Sequence, residues 1–458
     1  MTAYTQIEAI RAGARPIGQV IAAQQSLTAI WMRLNPMTSI NPILNATART
    51  LEANAITIGR SVKDFGKPEW GIDHTVINGL KVAVDIVPIV KKPFGDLIHF
   101  KRDEAAIAGR NDPKILVIGP MSGHYLTLLR GTMEEYLPGA EVYGTDWHNA
   151  RDVSRADAPK FDQDDQIAYI REFIEHLSPN LHIIAVCQPS GPAITALSQM
   201  AQDGAPNQPL SLTVVAGPVD TAANPSEISE FPHHALFSPF LSASTSTVPR
   251  QYAGAGRRVH MGYAQLSGFV APNLQKHIEK LRGAHMDRVR GDIDGAIKTE
   301  TFYDEYLAVM DLPREFIDQH CQRTFVNRDL ANGSLVVQGQ HIQPSSVSKT
   351  ALMTIEGSKD DISCVGQTEA AHRILTGVPA HKRFHHVEEG AGHYGSFEGS
   401  RFRSGIAPRV MHFIREQGEQ AGLRYSAMPI ERQLIEPTRW QWSTQKPQHL
   451  VALTAATA

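Results

Sequence analysis

The sequence predicts an α/β fold with a mostly parallel central sheet. Three observations carry this: short apolar runs alternate with helical segments from about Lys81, the alternation lapses between about Asn224 and Ser345, and it then resumes. Val82–Val90 and Leu97–Lys101 read as the first strands. Pro88 implies an edge or an irregularity there, because proline donates no ladder hydrogen bond. Lys114–Ile118 reads as a buried strand, followed by the turn Gly119-Pro-Met-Ser-Gly-His124 and a helix through Leu128, Leu129 and Met133. Val142–Thr145 is the next strand, closing on Asp146-Trp147. Ile167, Ile170, Ile174 and Leu177 mark a helix leading into the apolar run that starts at Leu181. Leu212–Ala216 follows, ending at Gly217-Pro-Val-Asp220. After the lapse come strand Ala351–Ile355, helix Gly366–Leu375, strand Arg383–Val387 and a last helix through Val410, Phe413 and Ile414.

The stretch 224–345 carries scattered Pro and Gly, aromatic clusters such as Phe237–Phe240, and helical spans around Tyr303–Met310. It reads as a cap-like insertion over the functional edge of the sheet, leaving 81–223 and 346–430 as the core. Residues 1–80 read as a helical extension, with Pro16 a kink. Leu44, Ala48, Leu51, Ala55, Ile58, Val62 and Phe65 follow alternating steps of four and three, one apolar seam on a helix that ends at Gly66-Lys-Pro68. Such a seam lies on the body of the protein, or serves self-association or a hydrophobic body. The tail 431–458 is weakly patterned and is assigned no role; no internal repeat is present.

The bulk properties narrow the function. A net charge of −3 gives no reason to expect nucleic acid or an anionic membrane as partner. Three cysteines are too few for a disulfide scaffold, which fits a reducing compartment. The first residues lack the basic start and apolar run of a signal peptide, and no apolar stretch is long enough to span a bilayer. The expectation is a soluble, cytoplasmic protein, with a homo-oligomer as an open alternative.

The chemistry centres on Cys187, in Leu181-His-Ile-Ile-Ala-Val-Cys-Gln-Pro-Ser-Gly-Pro-Ala193. A nucleophile at a sharp turn between a strand and a helix is the layout of the nucleophile elbow in the α/β-hydrolase fold. The helix N-terminus brings unpaired N–H groups and a positive dipole end to the sulfur. The pattern departs from Gly-x-Ser-x-Gly: Ala185 and Pro189 stand where the glycines would be. A buried structural cysteine is the competing reading.

A thiol nucleophile needs a base, and the base an orienting acid. In α/β-hydrolases these follow the nucleophile in chain order, acid then histidine, each in a loop after a late strand. The strand ending at Ile355 is followed by Glu356-Gly-Ser-Lys-Asp-Asp-Ile362, and that ending at Val387 by a glycine-rich loop with His393. Asp360 is preferred as the acid, with Asp361 as the alternative. His393 is preferred as the base, since His385 and His386 fall in or before the strand. The oxyanion requires backbone donors. Gln188, directly after the nucleophile, supplies one, and Met121 or Ser122 the other; His124 could touch substrate but reads as a cap or packing residue. No metal site and no cofactor are expected.

Taken together, Val-Cys187-Gln-Pro189, Gly-Pro-Met-Ser-Gly-His124-Tyr, Thr-Asp146-Trp147, Gly217-Pro-Val-Asp-Thr, Gln265-Leu-Ser-Gly-Phe269, Glu356-Gly-Ser-Lys-Asp360-Asp-Ile and Gly392-His393-Tyr-Gly resemble the intracellular polyhydroxyalkanoate (polyhydroxybutyrate) depolymerases. The resemblance runs from the N-terminal region to about Arg415. It implies a Cys187–Asp360–His393 triad that hydrolyses the ester bonds of poly(3-hydroxybutyrate) through a thioester, on amorphous polymer granules inside the cell. Alternatives of other kinds are a polyhydroxyalkanoate synthase-like acyltransferase, a small-ester or thioester hydrolase, and a non-catalytic granule-binding protein. Synthases resemble Gly-x-Cys-x-Gly-Gly at the elbow, which this chain lacks.

Overall fold

The computed structural model describes residues 3–270 and 274–430; the tail 431–458 lies outside the described residues. The chain begins with α1 (Ala3–Leu34), α2 (Pro36–Ile40) and α3 (Pro42–Ser61). Asn41 caps α3 by accepting from the amides of Ile43 and Leu44, and Pro42 occupies the first turn, where a missing N–H costs nothing. Helix α1 runs unbroken through Pro16. The seam on α3 lies between α1 and a helix of the insertion, with Ala48, Ala53 and Ala55 buried, and the helix stops before Phe65. The α1–α3 contact is close because it uses small residues: a Cβ on Gly18 would stand 2.6 Å from the Val62 side chain. Among the described residues, the opposite face of α1 has no partner. Ile10, Ile17, Val20, Leu27, Trp31 and Leu34 are each 64–76% exposed there.

Next come β1 (His74–Ile77), β2 (Leu80–Val90), β3 (Gly95–Arg102), β4 (Lys114–Ile118), α4 (Arg130–Tyr136), β5 (Glu141–Trp147), α5 (Gln163–Leu177), β6 (Leu181–Val186), α6 (Ser190–Gln202) and β7 (Ser211–Val215). The insertion holds α7 (Glu227–Glu230), α8 (Phe237–Ala243), β8 (Thr245–Thr247), β9 (Arg258–His260), α9 (Gly262–Val270), α10 (Leu274–Arg290), α11 (Ile293–Tyr306), β10 (Leu312–Pro313), α12 (Arg314–His320), β11 (Val336–Val337) and β12 (Gln340–His341). Last are β13 (Ala351–Gly357), α13 (Ala371–Ile374), β14 (Arg383–Glu388), α14 (Gly399–Arg401) and α15 (Ala407–Gln420).

Nine strands form one sheet in the order β1-β2-β3-β5-β4-β6-β7-β13-β14. The first three are antiparallel, and β3 also meets β5 antiparallel; from β5 to β14 every pairing is parallel. This is the α/β-hydrolase fold. The Pro88 irregularity is a register shift between Pro88 and Val90 in the β2–β3 pairing. The inner parallel strands β4, β6, β7 and β13 are almost wholly buried, as a sheet covered on both faces requires. Helices α5 and α6 cover one face through Ile170, Phe173 and Leu197, and α4 and α15 the other through Met133, Val410 and Phe413.

The expected helix over Gly366–Leu375 shortens to Ala371–Ile374. The cause is Glu356, fully buried at the end of β13, whose carboxylate accepts from the amides of Gly366, Thr368 and Glu369 and holds that stretch as turns. Glu356, Glu369 and His385 bring ligand atoms within 4.8 Å of one another, but these amide bonds already engage the Glu356 oxygens. Among the described residues, no helix is long and apolar enough to cross a membrane.

Candidate active site

The sheet order decides where chemistry can gather. Strand β6 sits between β4 and β7, so the turns after β4, β6, β13 and β14 open at one edge, the C-terminal ends of the parallel strands. Cys187 occupies the turn between β6 and α6 with φ of +65°, a left-handed conformation that costs a non-glycine residue of order 1–3 kcal/mol. The surroundings over-determine it. Its amide donates to Val215 O at 2.8 Å, and its carbonyl accepts from the Ser190 amide at 3.1 Å and the Ser190 hydroxyl at 2.7 Å. Gly217 makes room for that hydroxyl: a Cβ there would lie 1.8 Å from Ser190 Oγ and 3.1 Å from Cys187 O. Gly217→Ala is therefore expected to lower the melting temperature by several degrees and activity at least tenfold, since about 2 kcal/mol of overpacking falls on the elbow. Unchanged melting and turnover would show that the elbow does not need this packing.

His393 and Asp360 come together as the loops after β14 and β13 converge. His393 Nδ1 donates to Asp360 Oδ2 at 2.9 Å, and both side chains are buried. Asp360 is fixed in turn, since its Oδ1 accepts from the amides of Ile362 and Ser363, each at 2.9 Å. The neighbouring Asp361 is exposed. Cys187 and His393 line the same cavity, near enough for the sulfur to act on the imidazole. Burial pulls the imidazole toward the neutral form, but the Asp360 carboxylate and the Cys187 sulfur outweigh it and hold His393 well above its usual range. Tyr394 and Phe397 pack edge-on against its ring, with centroids 5.7 and 5.6 Å away. His385 instead bonds Thr354 Oγ1, and His386 bonds Glu388, both away from this cluster.

A contact the sequence does not reveal bears on the expected oxyanion donors. The Gln188 side chain turns back and accepts from the Met121 amide at 3.0 Å, and it exchanges two hydrogen bonds with Gln166 of α5. Met121 N–H is thereby engaged. The amides of Gln188 and Ser122 donate to no acceptor among the described residues, and both residues line the cavity. Gly123, with φ of +103°, lies where a Cβ would be 2.9 Å from Gln265 Oε1, and the Gln265 amide group in turn holds Ser122 O. His124 is buried and bonded to Tyr306 O at 3.1 Å.

These groups open onto a cavity of about 200 Å³. Its wall is mostly apolar, and the insertion contributes much of it: Phe231, Phe237, Phe240, Leu241, Ile317 and Phe325. The sequence marked the Phe237–Phe240 cluster, but nothing in it placed His260, His320 or Cys321 in the same wall.

Residues 216–418 match the family described as PHB de-polymerase C-terminus. That span includes Asp360 and His393 and excludes Cys187. No curated protein matches the chain. Among solved structures, alpha/beta hydrolase domain-containing protein 10 from mouse aligns at 9% identity over 74% of this chain and 99% of that one, with a TM-score of 0.41. A 2-hydroxy-6-oxo-6-phenylhexa-2,4-dienoate hydrolase from Rhodococcus sp. strain RHA1 aligns at 11% over 73% and 100%, with a TM-score of 0.40. An esterase from Rhizomucor miehei aligns at 10% over 74% and 84%, with a TM-score of 0.39. The chain is an α/β-hydrolase-fold enzyme whose residues 216–418 match the PHB de-polymerase C-terminus family.

Proposed function

We propose that this enzyme hydrolyses the ester bonds of a poly(3-hydroxybutyrate)-type storage polyester, inside the cell and on the polymer granule, through a Cys187–Asp360–His393 triad. The observation that carries the reading is a thiol on a strained elbow that shares an apolar cavity with a histidine held by an aspartate. His393 accepts the thiol proton as Cys187 Sγ attacks the ester carbonyl carbon. The oxyanion forms between the amides of Gln188 and Ser122. As the intermediate collapses to a thioester, His393 returns the proton to the departing alkoxide. Water, deprotonated by His393, then cleaves the thioester and releases the hydroxy acid end. Asp360 keeps the histidine in the tautomer that presents Nε2 to sulfur and balances its charge. The family match supports the polyester as substrate.

The exposed apolar face of α1 suits contact with an uncharged polymer body, which a soluble ester does not require. Ile17→Glu combined with Trp31→Glu is expected to lower release of hydroxy acids from amorphous poly(3-hydroxybutyrate) granules about tenfold. Hydrolysis of p-nitrophenyl butyrate by the same variant should stay within about twofold of wild type, the pair being remote from the cavity. Equal losses on both substrates would assign this face to folding. No release from granules by the wild type would refute the polyester reading.

A further inference from the structure

The cavity wall has an unusual electrical character for a site that produces carboxylic acids. Among the described residues lining it there is no lysine, arginine, aspartate or glutamate. Three histidines other than His393 line it, and none supplies positive charge at neutral pH. Burial pushes His124, His260 and His320 each down to about 4. All three also hold protein partners: His124 Nε2 with Tyr306 O at 3.1 Å, His260 Nδ1 with Ser244 Oγ at 3.0 Å and His320 Nδ1 with Gln163 Nε2 at 3.0 Å. Cys321 is likewise neutral, its thiol pushed up to about 12 by burial. His393 also lines the wall, but it is paired at 2.9 Å with the buried Asp360 carboxylate, so the pair brings no net positive charge.

Resting on the polyester reading, we propose that this site takes only uncharged stretches of the polymer and turns away a chain end bearing its free carboxylate. A carboxylate entering the cavity would leave its water shell and find no cation other than His393, already paired with Asp360, whereas ester oxygens lose little on the same transfer. Cleavage then falls at internal bonds or toward the hydroxyl end.

The test uses the wild-type enzyme and three forms of the linear 3-hydroxybutyrate dimer: free acid, primary amide and methyl ester. Hydrolysis of the inner ester is followed by chromatography at pH 7.5, with p-nitrophenyl butyrate and amorphous polymer as reference substrates. The amide and methyl ester are expected to show kcat/KM at least about tenfold above the free acid, mainly through KM. The amide matches the carboxylate in size, so its grouping with the methyl ester assigns the difference to charge. A free acid cleaved as well as the other two overturns the inference, and so does an amide as poor as the acid. If all three dimers resist an enzyme that hydrolyses the polymer, charge decides nothing and the inference falls alone. If p-nitrophenyl butyrate is cleaved while polymer and dimers are not, the polyester reading fails and takes the inference with it.

Discussion

Cys187→Ala is expected to remove ester cleavage by about 10⁴-fold or more, because attack, thioester formation and its hydrolysis all run through one sulfur. The same position offers a second readout. A φ of +65° strains any residue with a Cβ, so Cys187→Gly relieves what Cys187→Ala keeps. The glycine variant should melt about 1–2 °C above the alanine variant, reversing the usual order for a residue beside a helix. Turnover assays and calorimetry on the two variants check both halves. Substantial activity in either variant would sink the cysteine mechanism. An alanine variant that melts higher would mean that the elbow stores no strain.

Acid should unfold this protein well before it merely slows it. His124, His260, His320 and His372 are each pushed down to about 4 by burial, and His182 to about 3. Above about pH 6.5, the ordinary histidine value, these five are neutral whether the chain is folded or not. Between about pH 6.5 and 4 the unfolded chain binds protons that the folded chain refuses, so stability falls as pH falls. At about 3 kcal/mol per fully suppressed histidine, their sum rivals the 5–15 kcal/mol that holds a typical protein together. His99, His277 and His386, lowered by burial as well, add to this, while Asp165, Glu305, Asp311, Glu356 and Glu398, whose carboxyls burial pushes up, act in the opposite sense. Scanning calorimetry is expected to show the melting temperature dropping more than about 15 °C from pH 7 to pH 4.5. A flat profile over that range would show that these rings take up protons without leaving their sites.

The parts legible in the sequence are those governed by local pattern. Apolar runs gave the parallel strands, and the order of turns after them pointed to Cys187, Asp360 and His393, which the folded chain brings to one place. The choice of Asp360 over Asp361 becomes visible in the Ile362 and Ser363 amides that the Asp360 carboxylate accepts. What was not legible depends on side chains reaching across the fold. The helix expected over Gly366–Leu375 yields to Glu356, whose carboxylate competes for its first amides. The choice between Met121 and Ser122 turns on Gln188, a residue of β6's turn that engages the loop after β4. The histidines of the cavity wall come from separate segments of the insertion, and no spacing along the chain marks them.

The split of the candidate triad across the sheet bears on when the thiol becomes reactive. Strand β6 delivers Cys187, while Asp360 and His393 arrive on β13 and β14 after the whole insertion has been made, with only β7 between them in the sheet. A chain emerging from synthesis, N-terminal part first, pairs β4, β6 and β7 before its last strands exist. In that interval the cysteine has neither base nor acid beside it. Docking of β13 and β14, a set of distant and therefore late contacts, brings both at once. On the proposed mechanism, the nucleophile is armed by the same step that completes the core.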